Sequence, residues 1–160
     1  TDIDGNEFID FGCGIGVTSL GHGNSAALEA ALAQMQRFSH TRFSVTPYEL
    51  YVEVSRLLGE ITPGDFEKKT AMSTTGAEAI EKVEDNSYDL VTMDLIMPEM
   101  SGVEALEEIK KRAPRTPVMV ITGNATDRMV VQAGVEGACR VMYKPILLEE
   151  FVAEITATLA

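Results

Sequence analysis

A length of 160 residues suits one domain, or one domain with an extension, and suffices to bury roughly two-thirds of the unfolded surface without disulfide or metal staples. Hydrophobic residues at 45% and charged residues at 24% exclude a disordered chain. Acids outnumber bases 25 to 13, and the net charge of -12 argues against a nucleic-acid-binding surface and against anionic membranes.

No apolar run reaches the length of a membrane span, and the amino end shows no signal-peptide pattern. Cys13 and Cys139 stand in no CxxC or Cys/His spacing, so both read as free thiols of a reducing, cytoplasmic compartment.

Asp4-Gly5 is a hairpin signal and residues 7–11 alternate after it, which predicts a small β-hairpin. Gly12-Cys13-Gly14-Ile15-Gly16 is not GxGxxG and follows no parallel strand, so it reads as a turn. Asn24 or Ser25 is expected to cap a helix to about residue 38, with Leu28, Leu32 and Met35 on one face. Thr46-Pro47-Tyr48-Glu49 has the form of a capping box with proline at the first helical position. The helix it opens, to about residue 61, groups Leu50, Val54, Leu57 and Leu58. Thr62-Pro63-Gly64-Asp65 ends it, and residues 69–74 are predicted as a short strand.

Thr75-Gly76-Ala77-Glu78 is a second capping box, opening a helix to about residue 84. Residues 89–94 read as a buried strand, broken after by Pro98. Ser101-Gly102-Val103-Glu104 is a third capping box, for a helix to about residue 112. Residues 117–122 are a second buried strand. A helix near 126–133 follows, stopped by Gly134. Residues 140–143 form a third strand and 147–159 a final amphipathic helix. From residue 69 onward the order is β-α-β-α-β-α-β-α, which implies an α/β fold with a parallel sheet covered on both faces.

Active groups in such a sheet gather beyond the carboxyl ends of the strands. Asp94 ends one strand, Thr122 the next, and Lys144 follows the last. A carboxylate can act as a nucleophile toward phosphorus, a hydroxyl can bond a phosphoryl oxygen, and an ammonium can neutralise its charge.

Asp94-Leu95-Ile96-Met97-Pro98-Glu99-Met100-Ser101-Gly102 resembles the phosphoacceptor loop of response-regulator receiver domains. Val120-Ile121-Thr122-Gly123, then Gly137-Ala138 with Lys144-Pro145, resemble their fourth and fifth strands. Gly76-Ala77-Glu78-Ala79 resembles the start of their second helix. The resemblance covers about residues 76–160. It implies a flavodoxin-like doubly wound sheet of strand order 2-1-3-4-5. It also implies phosphorylation on Asp94 by a histidine kinase or phosphotransfer protein, with Thr122 and Lys144 as phosphoryl contacts. The Ile96 carbonyl and Asp94 are the implied Mg²⁺ ligands, and Lys144-Pro145 the implied cis peptide.

Two departures stand against that pattern. The paired acids that hold a receiver's magnesium have no counterpart before residue 76 in a strand-end context, so Mg²⁺ is expected to bind weakly or not at all. Val141 occupies the place where many receivers carry an aromatic residue.

The first 75 residues resemble another family. Residues 2–11, the run Gly12 to Gly16, Leu20-Gly21-His22-Gly23-Asn24, Phe38-Ser39-His40-Thr41 and Glu60-Ile61-Thr62-Pro63-Gly64 look like the amino-terminal part of class III pyridoxal-phosphate-dependent aminotransferases of the 4-aminobutyrate type. Residues 73–79 resemble that family's turn that helps hold the cofactor phosphate, which implies Thr75, Gly76 and Ala77 as its remnant. The aldimine lysine and most of the large domain have no counterpart, so bound pyridoxal phosphate and transamination are not expected. At most the chain would phosphorylate itself on Asp94.

These readings divide the chain into an aminotransferase-like extension at 1–37 and a receiver-like domain at 38–160, in which 38–75 replace strand 1, helix 1 and strand 2. Arg42-Phe43-Ser44-Val45 would fill the central strand, putting Ser44, Val45 and Thr46 where the acidic pair belongs. Without that insertion the sheet exposes edges, and the chain is molten or pairs edge to edge as a homodimer. His22 and His40 lack a partnered acid or cysteine at useful spacing and read as loop residues. Met93, Met97 and Met119 read as core filler. Glu104, Glu107, Glu108, Glu149, Glu150 and Glu154 read as solvated helix faces. The leading function is a phosphoacceptor module with an impaired metal site. With no effector after residue 160, its output is expected through protein contacts. A chimeric or artificial fusion without evolved activity and an inactive aminotransferase fragment are the alternatives.

Overall fold

The structure, a computed structural model, describes residues 2–9, 20–39, 41, 46–123 and 125–160. The chain gathers into two compact units, Thr1–Pro47 and Tyr48–Ala160.

In the first unit the Asp2 carboxylate organises a tight turn. It accepts from the backbone N–H of Asp4 (3.0 Å) and Asn6 (2.8 Å), and Gly5 turns the chain at φ 83°. The hairpin expected here is not formed among the described residues: 2–9 make this turn and no strand, because the Asp2 side chain takes N–H groups that a ladder would use. Its remaining residues, Asp10 and Phe11, lie outside the described residues, as do Gly12–Gly16, His40 and the proposed central strand 42–45. Helix α1 spans Ser25–Arg37. The Asn24 side chain caps it by accepting from Ala27 N–H at 3.0 Å. Leu28, Leu32 and Met35 do share a face, but α1 buries no residue.

The second unit is a doubly wound α/β body of flavodoxin-like type. In chain order it holds α2 (Glu49–Ile61), α3 (Gly76–Asp85), β1 (Val91–Met93), α4 (Gly102–Arg112), β2 (Val118–Thr122), α5 (Asp127–Val135), β3 (Arg140–Tyr143) and α6 (Leu148–Leu159). Among the described residues the sheet has the order β1-β2-β3, all parallel.

β2 lies between its two neighbours and is apolar from Val118 to Ile121, as a strand covered on both faces must be. Its side chains alternate. Val118 and Val120 join Met93, Leu95, Leu106 and Ile109 in one core cluster. Met119 joins Met142 and Ile155 in a second cluster on the opposite face. Helices α3 and α4 supply the first cluster and α6 the second. The spacing Ala105, Leu106, Ile109 puts one stripe of α4 inward, each residue 0% exposed.

Three expectations are corrected. Residues 69–74 form no strand. They belong to a straight run whose Met72 backbone is bonded to the Tyr51 hydroxyl of α2 (N–H 2.9 Å, C=O 3.2 Å), with no strand beside it among the described residues. Helix α2 begins at Glu49, not Pro47, and Tyr48 caps it without a side-chain hydrogen bond. Helix α5 runs through Gly134 and ends at Val135. The stop comes from Gly137 at φ 94°, where Gly137 N–H bonds Gly134 C=O and Ala138 N–H bonds Ala133 C=O.

Candidate functional site

Parallel pairing brings the three carboxyl strand ends to one edge. The register sets Met93 beside Val120 and Thr122 beside Tyr143, so Asp94, Thr122 and Lys144 converge. Lys144 N–H bonds the Thr122 carbonyl at 2.9 Å. The Lys144 ammonium reaches Asp94 Oδ2 at 2.7 Å, with both side chains about two-thirds buried. The Lys144–Pro145 peptide is cis.

The loop after β1 holds Asp94 still. Asp94 Oδ1 accepts from Ile96 N–H at 3.0 Å. Leu95 is fully buried beneath it. Gly102 N–H bonds the Leu95 carbonyl at 3.0 Å, and Met100 N–H the Pro98 carbonyl at 2.8 Å, across a left-handed Glu99 at φ 68°. Helix α4 then starts on a complete capping box, Ser101 with Glu104.

Burial alone would raise the Asp94 pKa. The Lys144 hydrogen bond, the Ile96 N–H, the Lys144 charge and the nearby Thr122 hydroxyl outweigh it and hold the carboxyl below its ordinary value of 3.8. Asp94 is therefore ionised at neutral pH. A depressed carboxyl stabilises the fold above its unfolded pKa, and that contribution is lost as pH falls through the lower folded value. The stability gap between the native chain and Asp94→Asn is expected to be full at neutral pH and to shrink below pH 3.8. Urea titrations at stepped pH check this; a gap unchanged down to the acid limit contradicts it.

Thr122 is 0% exposed, and its hydroxyl makes no hydrogen bond of ordinary geometry. Its influence on Asp94 is the weakest of those acting there. A buried hydroxyl without a full partner costs about 1–3 kcal/mol. Thr122→Val is thus expected to raise stability by about 1 kcal/mol, read as a higher urea midpoint; a lower midpoint would show the hydroxyl already satisfied.

The donor set does not suit a tightly held Mg²⁺. Among the described residues no three His, Cys, Asp or Glu side chains cluster. Asp94 is already paired with Lys144, and its other oxygen accepts from Ile96 N–H. A hard dication needs more oxygen ligands than these.

Thr75, Gly76 and Ala77 lie at the start of α3. The Thr75 hydroxyl accepts from Glu78 N–H at 3.2 Å, and the Glu78 carboxylate accepts from Thr74 N–H at 2.9 Å. A carboxylate thus sits where a cofactor phosphate would need bare N–H groups, so this turn is a poor seat for pyridoxal phosphate. Gly76 is instead a packing residue. A Cβ there would come 3.0 Å from Ala105 Cβ and 3.1 Å from Met100 Sδ.

Of the remaining candidates, His22 and Cys139 are exposed, and Met93 and Met119 are buried in the core. Val141 is half-buried against the first cluster. Reading the sequence missed the tight seat of Gly102 against Asp94. Its signal was the glycine at the first position of a capped helix, which propensity disfavours.

Comparison with known proteins gives two family matches. Residues 54–156 match the response regulator receiver domain, and residues 1–84 match the class-III aminotransferases. The matches overlap at residues 54–84, which take in most of α2 and of α3. The 4-aminobutyrate aminotransferase of Mycobacterium leprae (strain TN) is 48% identical over 80 residues, which cover 50% of this chain and 18% of that enzyme. GabT of Escherichia coli (strain K12) is 44% identical over 80 residues, 50% of this chain and 19% of that enzyme. The chain spans about a fifth of the length of these curated relatives. Among solved structures, a CheY-like receiver domain protein from Methanospirillum hungatei JF-1 superposes with a TM-score of 0.60 at 23% identity, covering 69% of this chain and 85% of that one. The receiver domain of NtrX from Brucella abortus superposes at 0.56 and 25% identity, covering 68% and 91%.

Proposed function

The chain belongs to the response regulator receiver domain family over residues 54–156 and to the class-III aminotransferases over residues 1–84, and from that premise we propose that it is a phosphoacceptor signalling module charged on Asp94. The donor is a histidine kinase, a phosphotransfer protein or a small phosphodonor. The observation that carries this reading is the Asp94–Lys144 pair at 2.7 Å beside the buried, unpartnered Thr122 hydroxyl.

In the transfer, an Asp94 oxygen attacks phosphorus and the bond from phosphorus to the donor atom breaks. The electron pair leaves with the donor, and the product is an acyl phosphate. Lys144 exchanges the carboxylate for the new phosphoryl oxygens, and Thr122 donates to one of them. Because the donor set holds Mg²⁺ poorly, the ammonium carries most of the charge compensation and transfer is slow. Intact-mass analysis after incubation with acetyl phosphate tests the reading. One phosphoryl group is expected on the native chain and none on Asp94→Ala. No gain on either would reject it.

A second reading, a fusion of two parental fragments without acceptor activity, is favoured by the overlap of the two family matches at 54–84. It predicts that last result.

A further inference from the structure

The loop that carries Asp94 returns to α4 through a strained turn. Met100 N–H bonds the Pro98 carbonyl at 2.8 Å, and between them the exposed Glu99 takes a left-handed φ of 68°. A residue other than glycine stays in that region only where its surroundings impose it. The imposing contacts lie on either side, since Met97 and Met100 both pack against the first core cluster.

Met100 has a fitted seat. Gly76 is the buried first residue of α3. A Cβ on it would stand 3.1 Å from Met100 Sδ, 3.4 Å from Met100 Cγ and 3.0 Å from Ala105 Cβ. Glycine is a poor helix former, so what it brings here is space, and an unbranched methionine side chain fills such a space well. The seat is itself fixed. The Thr75 hydroxyl accepts from Glu78 N–H, and the Glu78 carboxylate accepts from Thr74 N–H. What the loop holds in place is the Ile96 N–H, 3.0 Å from Asp94 Oδ1. The buried Leu95 side chain pins the loop at its near end, and Gly102 N–H on the Leu95 carbonyl pins it at its far end. Between those pins the apolar anchors are Met97 and Met100, and Met100 is the one that rests on another helix through a glycine.

We propose that Met100 is a positioning residue of the acceptor site: seated on Gly76, it holds the loop so that the Ile96 N–H fixes the Asp94 carboxylate for attack. The consequence for transfer rests on the acceptor reading; the hold on Ile96 does not. Gly76 lies within residues 54–84, where the two family matches overlap, so the segment matched by both families supplies the seat of the acceptor loop.

The test uses two readouts on the full chain, with a dispersed ¹⁵N spectrum required of every variant. One is the exchange rate of the Ile96 amide. The other is the rate of phosphoryl gain from acetyl phosphate by intact mass. Met100→Ala is expected to speed Ile96 exchange about tenfold and to slow transfer about tenfold, through misplacement of the carboxylate. Met100→Leu should restore both. Ile109→Val, a cavity in the same cluster two turns along α4, should lower the urea midpoint and leave both readouts native. Gly76→Ala should act in the same direction as Met100→Ala. Its effect should vanish in the Met100→Ala background, because the side chain it displaces is already gone. Ile96 exchange in Met100→Ala within about twofold of native would overturn the proposal. So would an undiminished Gly76→Ala effect in the double variant, which would assign Gly76 to Ala105 alone. If the native chain gains no phosphoryl group, the acceptor reading falls by itself, and Ile96 exchange still decides the role of Met100.

Discussion

Gly102→Ala is expected to cost about 3 kcal/mol or more, enough to unfold much of the second unit. Gly102 has no left-handed φ, so conformational freedom is not its purpose. Space is. A Cβ there would clash with the Asp94 carbonyl oxygen and stand 2.7 Å from Leu95 Cα. Both are backbone atoms of the loop that carries the acceptor. That loop is pinned by the buried Leu95 side chain and by the bond from Gly102 N–H to the Leu95 carbonyl. It cannot retreat without lifting Leu95 from the core or pulling α4 off the sheet. Gly134 is the internal control: a Cβ there meets nothing within 4 Å. Gly134→Ala is expected to be neutral or to add up to about 1 kcal/mol by helix propensity. Urea midpoints of the two variants check the pair. Equal midpoints would mean the loop yields.

Lys144→Met is expected to slow phosphoryl transfer from acetyl phosphate by about 100-fold, the usual cost of removing one prearranged charge from a phosphoryl site. The stem length is kept and the ammonium lost. In the native chain that ammonium lies 2.7 Å from the attacking carboxylate and is placed by its own backbone bond to Thr122. With the metal site poorly furnished, no other cation among the described residues faces the Asp94 carboxylate. The variant should therefore fail where a receiver with a strong metal site would retain part of its rate. Lys144→Arg separates charge from shape, and should recover part of the transfer. Phosphoryl incorporation timed by intact mass measures both. A Lys144→Met rate within threefold of the native one would remove Lys144 from the mechanism.

The convergence of Asp94, Thr122 and Lys144 was legible because these residues stand at fixed places relative to strong strands. Residues 118–121 are apolar without a break, and a strand that must be buried on both faces leaves little choice of register. Asp94, Thr122 and Lys144 follow from counting to the strand ends. The helix starts at Asn24, Thr75, Ser101 and Thr126 were legible from side chains that cap locally. What depends on neighbours was not. Residues 69–74 have a plausible strand pattern, but a strand exists only beside another, and Met72 found the Tyr51 hydroxyl instead. Gly134 looked like a stop, yet the helix passes through this exposed glycine to Val135, and the chain turns only at Gly137. The Asp4-Gly5 turn did form, but the Asp2 carboxylate took the N–H groups a hairpin needs. The role of Gly102 is set by the approach of two backbones, and the local pattern marks the position only by a glycine at the start of a capped helix.

Asp94, Thr122 and Lys144 are expected to form a working phosphoryl acceptor despite a poor metal site. The most direct measurement is an amide-resolved NMR spectrum of the ¹⁵N-labelled chain before and after beryllofluoride, a phosphoryl mimic, with and without Mg²⁺. Shifts are expected at residues 94–96, 122–123 and 143–144 that are absent in Asp94→Ala. A dispersed spectrum that ignores beryllofluoride in both conditions would contradict it, leaving a folded scaffold whose acceptor site is dead.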